Sequence, residues 1–274
     1  MNRNLTTGAA VSTYREFRPP ALLAQHVLCF WVQTVHPSSK FTHRVLPDCC
    51  VDIIVINGLP MVIGPWTQSF DADLPAGTNI LGARCHPGLA SGVLGLPASE
   101  LLNLSIPLCD LWGSSKAAPY SQIFGQTGLA AQTSAMEKAL LASIAAAPPI
   151  DKATREGIRW IARHPHEKVE RLSQRLGLSS RQIHRRFTSA VGYGPKLFQS
   201  VFRLQRLLYQ AHKAGSRGTL ADLAANAGYS DQSHMTREFQ RFANRPPTSL
   251  LRTASSTLGM SDLFKTGESE TEYR

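Results

Sequence analysis

The sequence predicts an α+β chain in two parts, a β-containing N-terminal half followed by an all-α C-terminal half. Three observations predict it. From Tyr14 to Cys85 the apolar residues come in short runs broken by Gly, Pro and Asn, the texture of strands and turns. From Asp151 onward they recur three and four residues apart, the spacing of helix faces. The charge divides at the same place. Residues 1–148 carry 8 Lys/Arg against 8 Asp/Glu, whereas 149–274 carry 21 against 11, which is the whole net charge of +10. A basic half beside a neutral one points to a polyanionic partner.

Residues 1–13 are small and polar and are expected to be flexible. Leu28–Val32 reads as a strand. Val51–Ile56 is rich in β-branched residues and runs into Asn57-Gly58 and then Met61–Ile63, so 51–63 is expected to be a hairpin. Ile80–Cys85 is a further strand. Pro97-Ala-Ser-Glu opens a short helix, and Thr133–Ala147 is a longer, Ala-rich one. Ala147-Pro148-Pro149 punctuates the chain, because proline cannot continue a helix and biases its predecessor away from one. The expected domains are therefore an α+β domain over 14–147 and a helical domain over 150–252. The tail, 253–274, is rich in Ser, Thr, Gly and Glu and is expected to be disordered.

In the helical domain, Asp151–Arg163 sets Ile158 and Ile161 on one face with Trp160 near its edge. Glu167–Leu176 carries Val169, Leu172 and Leu176 at helical spacing. Ser179 or Ser180 caps a third helix that buries Ile183 and Phe187. Pro195 opens a long helix to about Ala214, with Leu197, Val201, Leu204 and Leu208 on one stripe. Gly215-Ser-Arg-Gly218 breaks it, and Leu220–Asn226 and Asp231–Phe242 follow as a second pair.

Two of these segments match each other. Val169, Leu172 and Gly177 stand 51 residues before Leu220, Leu223 and Gly228. Phe187, Gly192 and Pro195 stand 52 residues before Phe239, Asn244 and Pro247, so a one-residue slip is expected inside the third helix of each unit. Each unit reads as helix, tight turn containing Gly, and capped helix with an aromatic anchor, which is the helix-turn-helix pattern. The outward faces of the second helices carry Ser180, Arg181, His184, Arg185 and Thr188 in one unit. In the other they carry Gln232, Ser233, Thr236, Arg237 and Gln240. Arg grips guanine bidentately, Gln grips adenine, and Ser or Thr serves either. Residues 149–252 carry 19 Lys/Arg against 7 Asp/Glu, which suits phosphate neutralisation. The expected partner is double-stranded DNA.

Over Asp151–Arg252 the chain resembles the AraC/XylS family of bacterial transcription regulators. The resemblance rests on Leu172-Ser-Gln-Arg-Leu-Gly-Leu-Ser-Ser-Arg-Gln-Ile-His-Arg-Arg-Phe187 and Ala227-Gly-Tyr-Ser-Asp-Gln-Ser-His-Met-Thr-Arg-Glu-Phe-Gln-Arg-Phe242, followed by Arg245-Pro-Pro-Thr. It implies a long central helix joining two units whose recognition helices enter successive major-groove segments. It implies Arg181, His184 and Arg185, then Gln232, Ser233, Thr236 and Arg237, as base readers. Met235 stands where a larger Leu or Phe is usual, and Asn244 where Gly is usual. Around Arg44–Val55, Gly82–Gly88 and Pro107–Gly113 the N-terminal half is similar to an uncharacterised β-containing domain found ahead of such units. By analogy that domain senses a small molecule, dimerises, or does both. A small-molecule effector, a second copy of the chain and RNA polymerase are the further partners so implied.

Other chemistries fit less well. No run of 18 apolar residues occurs, and Met1–Ala10 has no apolar signal core, so a cytoplasmic location is expected. The five cysteines are odd in number and form no C-x-x-C, which argues against a disulfide framework or zinc finger. No metal or cofactor is expected. No phosphate loop, nucleophile elbow or His-Glu-x-x-His motif occurs, and no enzyme is expected. The competing readings are a thiol or metal sensor built on Cys49, Cys50, Cys85 and His86 with Asp48, His43 or Cys109 nearby, and a DNA-directed enzyme with Cys49 or Cys85 as nucleophile. Asp48 and Asp52, four apart along an expected strand, share a face but stand too far apart for concerted acid–base work. One of them lies at a ligand pocket or satisfies a turn. Arg84, at a strand edge, meets an anionic effector or pairs with Asp48 or Asp52, the pair being the favoured reading.

Overall fold

The computed structural model describes residues 11–145, 151–214, 219–247 and 249. The expected breaks at Ala147-Pro148-Pro149 and Gly215–Gly218, and the tail over 253–274, lie outside the described residues.

The N-terminal half is built on an antiparallel six-stranded sheet in the order β1 (Ser12–Phe17), β2 (Val27–Val35), β7 (Asn79–Cys85), β4 (Asp52–Ile56), β5 (Leu59–Ile63), β8 (Ser105–Pro107). A separate two-stranded ribbon pairs β3 (Phe41–Val45) with β6 (Phe70–Leu74). The hairpin expected over 51–63 forms as β4 and β5. Its turn places Asn57 at φ 48° and Gly58 at φ 88°, the two positive values a tight primed turn requires. Ser12 and Thr13, inside the stretch expected to be flexible, are instead paired with Val35 and Thr34. Backbone pairing to a long buried strand holds them, a gain that local composition does not report.

Side-chain alternation assigns the two faces of the sheet. Phe30, Ile53, Val55, Leu81, Ala83 and Cys85 point to one face. They are covered by α1 (Ala90–Leu94), α3 (Ser114–Ser121) and α4 (Leu129–Ala145). A short α2 (Leu108–Trp112) follows β8, and a 3-10 turn spans Ala98–Leu101. Trp31, Ile54 and Ile80 point to the other face, beneath the β3–β6 ribbon with Leu74. Gly82 on that face has no room for a side chain. A Cβ there would stand 2.2 Å from Trp31 Cε2, so the tryptophan lies flat on the strand.

The C-terminal half is helical: α5 (Lys152–Arg163), α6 (Arg171–Leu176), α7 (Ser180–Val191), α8 (Pro195–Ala214), α9 (Leu220–Ala227) and α10 (Gln232–Ala243). The second element, expected from Glu167, begins four residues later at Arg171. Phe187, Phe198, Val201, Leu204, Phe239 and Phe242 share one core that runs through both units. The α8 helix is buried on nearly every side from Phe198 to Leu208, so it is an axle rather than an amphipathic surface helix.

The repeat holds, but the slip does not fall inside the third helix. Gly177 (φ 63°) and Gly228 (φ 104°) both end their helices in the left-handed conformation. The next cap is Ser179 in the first unit and Asp231 in the second, two and three residues on. The extra residue sits in the turn, where a loop absorbs it without shifting the buried Ile183/Met235 and Phe187/Phe239 pairs.

Candidate nucleic-acid interface

The two recognition helices are positioned by the same devices. Ser179 caps α7 by accepting from the Gln182 amide, and Gln182 reaches back to the Ser179 amide. Asp231 caps α10 by accepting from the His234 amide. Ile183 and Phe187 anchor α7, and Met235, Phe239 and Phe242 anchor α10. Asn244 closes α10 at φ 50°, the conformation that Gly192 takes at the end of α7.

Anchoring those faces turns the others outward. Ser180, Arg181, His184 and Arg185 are exposed on α7, and Thr188 is half-buried with its hydroxyl 3.4 Å from His184 Nδ1. Gln232, Ser233, Thr236, Arg237 and Gln240 are exposed on α10, where Thr236 turns its hydroxyl back to the Gln232 carbonyl. The acidic residue of α10, Glu238, points inward. Its carboxylate accepts from Arg203 of α8 at 3.1 Å and from Ser200 Oγ at 2.6 Å. That network keeps negative charge off the outward face and ties α10 to the axle.

The N-terminal half shares this surface. A cleft of about 670 Å³ has Pro97 and Ser99 on one wall and Arg181, His184, Arg185 and Thr188 on the other. A second, of about 460 Å³, brings His26, Gly88 and Ser91 opposite Arg185, Arg186 and Ser189. The contact continues onto α8. The Leu46–Cys50 segment lays Cys49 into the helical core, its thiol 3.8 Å from the Phe198 carbonyl, and the Pro47 carbonyl accepts from Gln205.

Next to that segment lies a buried ion cluster. Arg84 donates from Nε and Nη2 to Asp52 at 3.1 and 2.9 Å, with Asp48 at 3.6 Å and Glu16 at 3.5 Å. Two sequence expectations change here. Arg84 lies on β7, paired on both sides, not at an edge. Asp48 is not on a strand with Asp52. The left-handed turn at Cys49 (φ 67°) folds the chain, so both carboxylates converge on one guanidinium. Of the expected pairing with Asp48 or Asp52, Asp52 makes the hydrogen bonds and Asp48 stands at 3.6 Å.

Burial, partly opposed by Arg84 and reinforced by Asp52, raises the Asp48 carboxyl to about 6. An unfolded aspartate titrates near ~4. Between those values the folded state holds the proton more tightly, so this group's contribution to stability falls as pH rises through that window. His43 works the other way. Burial and Arg84 lower it to about 4, so its contribution is lost as pH falls below the ordinary histidine range. Asp48→Asn isolates the first effect. The stability of the variant relative to the parent is expected to rise from pH 4 to 6 and level off above, as read by denaturant midpoints. A difference that stays flat over that range removes the assignment.

The thiols are poorly placed for chemistry. Cys49, Cys50 and Cys85 are buried. Burial pushes the thiols of Cys49 and Cys50 well up and that of Cys85 to about 12, away from the reactive thiolate. Among the described residues no group of three or more His, Cys, Asp or Glu is placed to hold a metal ion.

Residues 172–253 match the family model described as a helix-turn-helix domain, and residues 15–107 match a domain of unknown function, DUF6597. The chain carries an AraC-type helix-turn-helix domain. It is a DNA-binding transcription regulator of that type, with a β-rich N-terminal domain ahead of the AraC-type unit. Solved structures of ToxT from Vibrio cholerae are similar to it. An apo ToxT variant from strain SCE256 is 11% identical with a TM-score of 0.43, over 81% of this chain and 97% of that one. ToxT from strain O395 is 11% identical with a TM-score of 0.44, over 82% and 96%. A likeness of that size carries no conclusion about activity. No curated protein matches the chain. Among the described residues no helix is long and apolar enough to cross a membrane.

Sequence reasoning did not single out Arg203, Glu238, Cys49 or Arg44 as positioning residues. One signal was present. Gln199, Ser200, Arg203 and Gln205 stand among the apolar residues of the long helix and are buried, and buried polar groups need partners. Arg44 and Cys49 carry no such local signal.

Proposed function

We propose that this AraC-type regulator reads duplex DNA with α7 and α10, and that its N-terminal domain controls how those helices engage. The base readers are Ser180, Arg181, His184, Arg185 and Thr188, then Gln232, Ser233, Thr236 and Arg237. The observation that carries the control is the cleft in which Arg181, His184, Arg185 and Thr188 face Pro97 and Ser99. Any shift of the N-terminal domain changes the surroundings of those four side chains. A small-molecule effector, a second copy of the chain and RNA polymerase are the partners this reading adds. Asp48, Asp52 and Arg84 hold the domain together in it, because an anionic effector would have to displace two carboxylates from Arg84.

Selection of bound duplexes from a random pool, with and without cell metabolites, supplies the operator and reveals a signal. Binding is expected to weaken steeply with salt, as phosphate neutralisation requires. Arg185→Ala and Arg237→Ala are each expected to cost about 1–3 kcal/mol and to relax preference at one base position. Footprints identical to the parent in both variants would show that these arginines do not read bases.

A further inference from the structure

Both recognition helices end against one short segment of the N-terminal domain. The loop Gly64–Ser69 runs from β5 toward β6. Near its start, Pro65 lies on the C-cap of α7, where a Cβ on Gly192 would stand 2.6 Å from Pro65 Cγ. At its end, the Ser69 amide donates to the Phe242 carbonyl of α10 at 2.7 Å. The last carbonyls of a helix have no partner within it. Arg44 takes the next one, its Nη2 donating to the Ala243 carbonyl at 2.6 Å. The same guanidinium donates to Ser69 Oγ at 3.0 Å and to both Asp71 oxygens at 2.9 and 3.1 Å. A cation at a helix C-terminus is also favoured by the helix dipole.

The loop is braced from behind. Asn103 accepts from the Thr67 amide at 2.8 Å, and its own amide donates to the Pro65 carbonyl at 3.0 Å. The rings of Trp66 and Phe70 pack with centroids 4.0 Å apart. Such a segment transmits position rather than yielding.

We propose that Gly64–Ser69, locked by Arg44, sets the separation and tilt of α7 against α10, so that the N-terminal domain fixes the base-pair spacing of the operator. This rests on the reading that both helices enter successive major-groove segments. The Arg203–Glu238 network and the buried Met235, Phe239 and Phe242 hold α10 against the axle along its inner face. The loop adds a tie at the helix end, and it is the same loop that meets the end of α7. Half-site spacing is a geometric property of the protein, and one added base pair moves the second groove by about 3.4 Å and turns it by roughly a tenth of a turn. Arg44 is thus a positioning residue that touches no DNA.

The test uses the full chain and three duplexes: the selected operator, and the same operator with one base pair added or removed between its half-sites. The parent is expected to prefer the original spacing by about tenfold or more. In Arg44→Ala, and in Ser69→Pro, which lacks the amide donor, the preference is expected to flatten to within about threefold while the best affinity changes little. Arg44→Lys keeps a charge at the helix end without the fork, and serves if Arg44→Ala does not fold; partial flattening is expected. A merely structural role would weaken all three duplexes alike. Parent-like spacing profiles in the folded variants overturn the inference. A parent that binds no operator, or only one half-site, overturns the two-groove reading and the inference with it.

Discussion

Replacing Asp52 by alanine is expected to cost about 3–5 kcal/mol of folding stability, because it strips the closest counter-ion from a buried guanidinium. Arg84 is 7% exposed and Asp52 8%, so water does not replace the lost pair. Asp52 also accepts from Trp31 Nε1 at 3.1 Å, and that donor would be orphaned inside the sheet. Asp48 and Glu16 remain at 3.6 and 3.5 Å and still offset part of the charge, which places the effect toward the lower end of the range. Urea unfolding followed by tryptophan fluorescence measures it, since Trp31 sits on the affected carboxylate. A loss below about 1 kcal/mol would mean that the remaining carboxylates neutralise Arg84 by themselves.

Phe187→Ala is expected to cost a similar amount, about 3–5 kcal/mol, by a different route: a ring-sized cavity at the junction of three helices. Phe187 is fully buried, its ring edge-on to Phe198 with centroids 5.9 Å apart. Gly157 of α5 comes so close that a Cβ there would stand 2.9 Å from Phe187 Cε2. The ring therefore fills the space that α5 leaves open at Gly157 and packs there against Phe198 of α8. Loss of this anchor loosens α7, so DNA affinity is expected to fall together with stability. Arg185→Ala, on the exposed face of the same helix, should lower affinity and leave stability within about 0.5 kcal/mol. If the two variants show the same ratio of affinity loss to stability loss, anchoring and reading are not separable on this helix.

The recognition helices were legible because their determinants are local. The cap at Ser179, the αL turns at Gly177 and Gly228, and the buried Ile183/Phe187 and Met235/Phe239 pairs all follow from residues within one or two turns of each other. The Asn57-Gly58 hairpin was legible for the same reason. The strands β1, β3, β6 and β8 were not anticipated. They are half-buried or very short, and partners 13 to 46 residues away hold them in place, so their own composition carries little of their stability. Asp48 shows the same limit on the scale of one residue. Its spacing from Asp52 suggested a shared strand face, and only the αL turn at Cys49 brings the two carboxylates to Arg84.

By itself, the sequence determined that the basic half is a tandem helix-turn-helix unit and which faces of its second helices look outward. Helix periodicity and capping are set by neighbours along the chain, and the position of the charge needs no structure to be read. Only the tertiary structure decided how the two halves meet. Arg44 and Ala243 are 199 residues apart, yet one hydrogen bond joins them. The loop Gly64–Ser69 reaches the ends of both recognition helices, and Cys49, with Leu46 and Leu102 beside it, enters the core of the other half. Such contacts depend on the summed shape of two folded surfaces, and no spacing rule in the sequence encodes that sum.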